Sequence, residues 1–278
     1  MIATDKQNKA GAALDALRAH WPEYLAEAAG LGLFMISACA FTLWFEHPGS
    51  ALHQAVPEAL VRRVLIGIAM GLTLIGLIYS PWGQRSGAHL NPSFTLAFLA
   101  LGKIERWDAT FYVLAHFTGG VLGVALARLV AGAALAHPAV HYASTEPCSL
   151  GVAVAFTAEF AISLCLMGVV LAVSNHKRLA RFTPLFAASL VAAYISIEAP
   201  LSGMSMNPAR TLGSAVHAGS YTALWLYFTA PPLGMWAASK IYAYHHGAHK
   251  VLCAKLHHHN NKRCIFRCNY GAMETAGH

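Results

Sequence analysis

Two stretches of nearly the same sequence lie 116 residues apart, and they constrain the fold more than any other feature. One is Ser86-Gly87-Ala88-His89-Leu90-Asn91-Pro92-Ser93-Phe94-Thr95-Leu96. The other is Ser202-Gly203-Met204-Ser205-Met206-Asn207-Pro208-Ala209-Arg210-Thr211-Leu212. Each reads as a turn of small residues followed by Asn-Pro-small-x-Thr-Leu. Asn is a strong N-cap, and Pro suits the first helical position because its missing N–H would go unpaired there anyway. Each copy is therefore a loop that becomes a helix at its Asn-Pro. The apolar or uncharged run that follows lasts only to Leu101 and to about Ala218. Ten helical residues span about 15 Å, roughly half the hydrocarbon core of a bilayer. Two such half-helices entering from opposite faces would meet near the middle, positive ends toward each other and each tipped with an Asn.

A membrane setting follows from composition. The chain is 56% hydrophobic and only 11% charged, where a soluble domain carries about 25% charged residues. The apolar stretches are long and continuous, not alternating, so they specify helices and not a β-barrel. Six spans are expected, at about 24–45, 61–80, 109–136, 151–173, 183–199 and 221–244. Trp21 and Trp44 flank the first at interfacial depth. The net charge of +7 reads as orienting Lys and Arg, not as a nucleic-acid surface.

The spans form an internal repeat. Ala26-Glu27-Ala28-Ala29 echoes Ala158-Glu159-Phe160-Ala161, and in each unit the Asn-Pro box follows the second of three spans. An odd number of spans gives the two units opposite orientation, and such inverted repeats with broken helices meet at a midplane site. The expected organisation is a polar N-terminal tail over 1–20, a channel unit over 21–245 with repeats at about 21–140 and 150–245, and a basic His- and Cys-containing tail over 246–278. With both termini cytoplasmic, 15 of the 19 Lys and Arg fall on that side. The first span is too long for a signal-peptide core, and its flank carries both signs of charge, so no cleavable signal is expected.

Asn91-Pro92-Ser93 and Asn207-Pro208-Ala209-Arg210 resemble the two Asn-Pro-Ala boxes of the aquaporin and glycerol-facilitator family, the first with Ser for Ala. The resemblance covers about residues 22–245. It implies an all-α membrane fold of six transmembrane helices plus two re-entrant half-helices, assembled as a homotetramer in the cell membrane with one pore per chain. Asn91 and Asn207 then donate to permeating water at mid-channel, and the facing helix dipoles repel cations, a barrier already established for aquaporins. Arg210 takes the outer constriction, with Met204 and Ile195 beside it and either Met70 or Gly71 from the second span. Water-selective relatives carry His where Ile195 stands and an aromatic at the second-span position, so this set is more apolar than theirs. Thr211 where glycerol facilitators carry Asp, together with Ala215 and the pair Tyr227-Phe228, resembles the water-channel side. Glu27 and Glu159 would brace the two box loops through backbone N–H groups, with His116 beside Glu27 and His89 shaping the cytoplasmic mouth.

The expected function is passive permeation of water, with glycerol or other small uncharged solutes, excluding protons and ions. Rival readings are a facilitator for glycerol, urea, ammonia or a metalloid hydroxide, and a coupled secondary transporter, for which Glu27, Glu159 and Arg210 are the intramembrane charges available. No nucleophile–base pair or metal set points to an enzyme, and no cofactor is expected. Cys39 and Cys165 sit in apolar spans as small hydrophobes, and Cys148 is alone in a loop, which is no disulfide framework. The tail's His245, His246, His249, Cys253, His257, His258, His259, Cys264 and Cys268 fit no strong zinc spacing. The tail reads as a disordered basic segment near anionic lipid, and no metal site is assigned.

Overall fold

The computed structural model describes residues 2–271, with side chains described for 11–271. Met1, residues 272–278 and the side chains of Asp5, Lys6 and Lys9 in the N-terminal tail lie outside the described residues. The helices are α1 Ile2–Glu46, α2 Ala51–Ala55, α3 Ala59–Tyr79, α4 Pro81–Ser86, α5 Pro92–Ala100, α6 Arg106–Ala131, α7 Val152–Ser174, α8 Thr183–Ile197, α9 Ala199–Ser202, α10 Pro208–Ala218 and α11 Leu224–His246. No strand is present among the described residues. Among the described residues, five helices are long and apolar enough to cross a membrane: 11–46 of α1, α3, α6 with its extension to Ala136, α7, and α8 with its approach from Ala180. The sixth, α11, has the length, but Pro231, Pro232, Lys240 and several aromatic residues interrupt it. The protein is an integral membrane protein.

The packing reproduces the inverted repeat pair by pair. Helix α1 lies along α6 as α7 lies along α11; α1 meets α3 as α7 meets α8; half-helix α5 packs on α11 as α10 packs on α6. The α3–α8 contact maps onto itself. Each half-helix therefore leans on the last span of the opposite repeat, which brings the two box loops together.

Small residues set how closely these helices approach. A Cβ at Gly119 of α6 would fall 2.1 Å from the Ala28 carbonyl oxygen of α1, and one at Gly213 of α10 would fall 2.6 Å from the carbonyl of Gly120. Lipid offers helices no hydrophobic incentive to associate, so backbone-to-backbone contact of this kind does much of the holding. The outward faces are apolar: Leu129 and Val130 are 81% and 90% exposed, and Trp21, Trp44, Trp82, Trp225 and Trp236 all stand exposed.

The C-terminal tail differs from its sequence reading, and the N-terminal one is helical. The N-terminal tail is not separate from the first span, since α1 runs unbroken through Pro22. His20 Nδ1 and the Tyr24 hydroxyl both lie 2.6 Å from Asp108 Oδ1 on α6. The C-terminal segment is not a solvated strand of charge. Val251, Cys253, Ala254, Lys255, Leu256, Phe266 and Tyr270 are buried against the helical bundle. Chain irregularity and positive charge in the tail suggest disorder, but Val251, Cys253, Ala254, Leu256 and Phe266 give this segment enough apolar surface to pack.

Candidate functional site

The two box loops share one backbone conformation. Gly87, Ala88 and Leu90 have φ of 95°, 54° and 48°; Gly203, Met204 and Met206 have 80°, 53° and 53°. Positive φ at a residue with a side chain is strained and persists only where the surroundings impose it. Here the imposing group is a buried carboxylate from the first helix of each repeat. Glu27 Oε1 accepts from His89 N at 3.1 Å and Oε2 from Leu90 N at 2.6 Å. Glu159 Oε1 accepts from Ser205 N at 2.6 Å and Oε2 from Met206 N at 2.7 Å. Both carboxylates are fully buried, and an unpaired charge there would be prohibitive. Glu27 gains a third donor in His116 Nε2 at 2.7 Å, and Glu159 one in Ser202 Oγ at 2.6 Å. A tyrosine closes each turn: Tyr112 donates to Ser86 O at 2.6 Å and Tyr227 to Ser202 O at 2.5 Å. Sequence reasoning missed this pairing of Tyr112 with Tyr227, although both follow a Ser-Gly turn within the repeat.

The half-helices begin at the asparagines. Asn91 Oδ1 accepts from Ser93 N at 2.8 Å; Asn207 Oδ1 accepts from Ala209 N at 3.0 Å and Arg210 N at 3.2 Å. Pro92 and Pro208 occupy the first helical positions. The amide NH2 groups then cross: Asn91 Nδ2 donates to Met206 O at 2.7 Å and Asn207 Nδ2 to Leu90 O at 2.8 Å. Each amide carries two N–H groups. One is taken by the opposite loop, leaving a second on each side chain, and both asparagines line a cavity of about 520 Å³.

That cavity is lined by Glu46, Arg63 and His141, by Met70, Ile195, Met204 and Arg210, and by Leu74, Phe94 and His89, with both asparagines. Arg210 Nη1 is buried with no protein partner. Of the two second-span options the cavity takes Met70. Gly71 is buried on the other side of α3, where a Cβ would lie 3.1 Å from the Ala188 carbonyl of α8. Ser93 and Ala209, the small residues of the boxes, are both fully buried. Phe94, Leu166 and Val191 form the inner part of the cavity and went unnoticed in the sequence, because single apolar residues in apolar helices carry no distinguishing signal.

The sequence model of the major intrinsic protein family matches residues 16–242. The chain belongs to that family. Among curated relatives it is similar to Aquaporin NIP1-1 of Arabidopsis thaliana, 36% identical over 64% of this chain and 60% of that protein, and to Aquaporin NIP3-1 of Zea mays, 39% identical over 62% and 56%. These alignments thus span somewhat more than half the length of the relatives. The fold is similar to the X-ray structure of the aquaglyceroporin from Plasmodium falciparum, with a TM-score of 0.64 over 80% of this chain and 95% of that one, at 18% identity. Within this major intrinsic protein, the duplicated loop, the crossed asparagines and the cavity beside Arg210 are the features that carry chemistry.

Proposed function

We propose that the chain is a passive transmembrane channel for water and small uncharged solutes, with Asn91, Asn207 and Arg210 as its polar contacts. The supporting observation is the pair of crossed amides on one continuous cavity. A water or hydroxyl oxygen between them can accept from the spare N–H of each asparagine, which turns its own hydrogens away along the cavity axis. The opposed positive ends of α5 and α10 disfavour a cation at the same point. Arg210 lines the same cavity with its Nη1 lacking a protein partner, so a neutral permeant can accept from the guanidinium and a cation is repelled.

A second reading, a facilitator for glycerol, urea, ammonia or a metalloid hydroxide, draws support from Met70, Ile195 and Met204. These offer apolar surface and no donor, so the lining favours molecules that carry some carbon or are weakly hydrated over water alone. The homotetramer, the cell-membrane location and the cytoplasmic placement of both termini belong to this same proposal. Stopped-flow shrinkage and re-swelling of proteoliposomes, water against glycerol, is the test. Permeability to either solute above empty liposomes, without saturation and without proton coupling, is expected. Saturable uptake driven by an ion gradient would overturn the channel in favour of a transporter.

A further inference from the structure

The C-terminal segment carries a cluster with no part in the pore just described. Cys253, His258, Cys264 and Cys268 bring three thiol sulfurs and an imidazole nitrogen within 4.8 Å of one another. Cys253 Sγ lies 3.5 Å from Cys264 Sγ, and Cys268 Sγ lies 3.1 Å from His258 Nε2. A tetrahedral zinc with Zn–S of about 2.3 Å and Zn–N of about 2.0 Å separates its ligand atoms by roughly 3.5–3.8 Å. The four atoms already stand near that spacing. Their surroundings resemble the outer shell of a thiolate site. Backbone N–H groups of Lys255 and Tyr270 point at the sulfurs of Cys253 and Cys268, at 3.5 and 3.4 Å. The Tyr270 ring stacks on His258 with centroids 4.2 Å apart, fixing the imidazole plane. Lys103 and Lys255 stand close enough to offset the charge of three thiolates around a divalent ion. The ligands are spread as Cys-x4-His-x5-Cys-x3-Cys, which is why no familiar spacing flagged them.

The same segment reaches the inner end of the pore. The Ala254 carbonyl, next to Cys253, accepts from His89 Nε2 at 2.9 Å. Phe266, between Cys264 and Cys268, stacks on that imidazole with centroids 5.3 Å apart. Leu256 N donates to Gly87 O at 3.1 Å and Arg267 N to Lys103 O at 3.0 Å. Leu252 N donates to Asn175 Oδ1 at 2.7 Å, and the Arg263 guanidinium to Ala19 O at 3.0 Å. The segment thus touches α1, the first box loop, the turn after α5 and the end of α7, the elements surrounding one mouth. Residues 251–270 contain no helix of their own, so their shape depends on what ties them together.

We propose that Cys253, His258, Cys264 and Cys268 bind a thiophilic d10 ion of the zinc class, and that the bound ion locks residues 251–270 across the terminus-bearing mouth as a plug. The second half rests on the channel reading; the first does not. The experiment uses the full chain purified in detergent, stripped with a chelator and titrated with Co2+. One equivalent per chain with intense sulfur-to-cobalt absorption is expected, displaced by Zn2+ and lost in the C264S/C268S double variant. No stoichiometric uptake, or absorption unchanged in the double variant, overturns the site. In proteoliposomes, zinc-loaded protein is expected to pass water several-fold more slowly than chelator-treated protein, C264S/C268S or a chain ending at residue 247. If the truncated chain conducts and the loaded wild type conducts equally, the plug is overturned. If the truncated chain folds but is no faster than empty liposomes, the channel reading fails while the cobalt result still judges the site.

Discussion

The two box loops are built alike and used differently. Both carry the same run of positive-φ residues, the same buried carboxylate and the same tyrosine clasp. Even the residue two before each asparagine repeats a role: His89 Nδ1 lies 2.9 Å from Thr95 Oγ1, and Ser205 Oγ lies 2.6 Å from Thr211 Oγ1. They part where they leave the scaffold. The half-helix after the second loop sets Arg210, whose Nη1 has no protein partner, on the cavity. The first offers an imidazole whose far nitrogen is already bonded by the tail. The repeat shares the geometry of the meeting point, and a few differing positions leave one end with Arg210 on the cavity and the other with His89 bonded to the tail.

Substitutions can break or sharpen this contrast. The largest effect is expected at the shared scaffold. Glu27→Ala and Glu159→Ala each orphan two loop N–H groups and a third donor, at about 1–3 kcal/mol per buried donor. Both should lower the thermal midpoint in detergent by a similar, large amount. A stable Glu27→Ala beside a collapsed Glu159→Ala would mean the two braces are not equivalent. Arg210→Ala comes next. It should leave the fold intact but raise proton or cation leak, measured with a pH-sensitive dye inside proteoliposomes. His89→Ala should not raise it, and equal leak in both would erase the distinction between the ends. Ile195→His adds a donor beside Arg210 and should shift selectivity from glycerol toward water; an unchanged ratio removes Ile195 from the constriction. The smallest contrast lies within α3. Met70→Ala should widen the passage and raise glycerol flux, whereas Gly71→Ala should affect only stability, through the tight approach to Ala188. Identical effects on flux would show the α3 register to be misread.

Much of this was legible in the chain itself. The paired Asn-Pro boxes placed α5 and α10; the Ala-Glu echoes marked Glu27 and Glu159 as matching positions of the repeat, and their bracing role came from the family resemblance. Helix periodicity could not decide between Met70 and Gly71, because adjacent residues on an all-apolar helix differ only in which neighbour they face. The tail was misread for a related reason. Its Cys and His side chains are brought close in space by irregular backbone, and no periodic signal reports such proximity. The clasp of Tyr112 and Tyr227 was hidden because the two residues sit at different depths of α6 and α11, seven and four residues into their helices.

Helix α11 also bears on how the protein comes to be in the bilayer at all. With two consecutive prolines, a lysine and few branched aliphatic residues, it partitions into hydrocarbon less readily than its five companions. Its closest support is protein: a Cβ at Gly234 would meet the Phe160 carbonyl of α7 at 2.5 Å. The span that follows the other five in the chain is thus the one that most needs a finished partner waiting, and its place in the bilayer leans on helices already there.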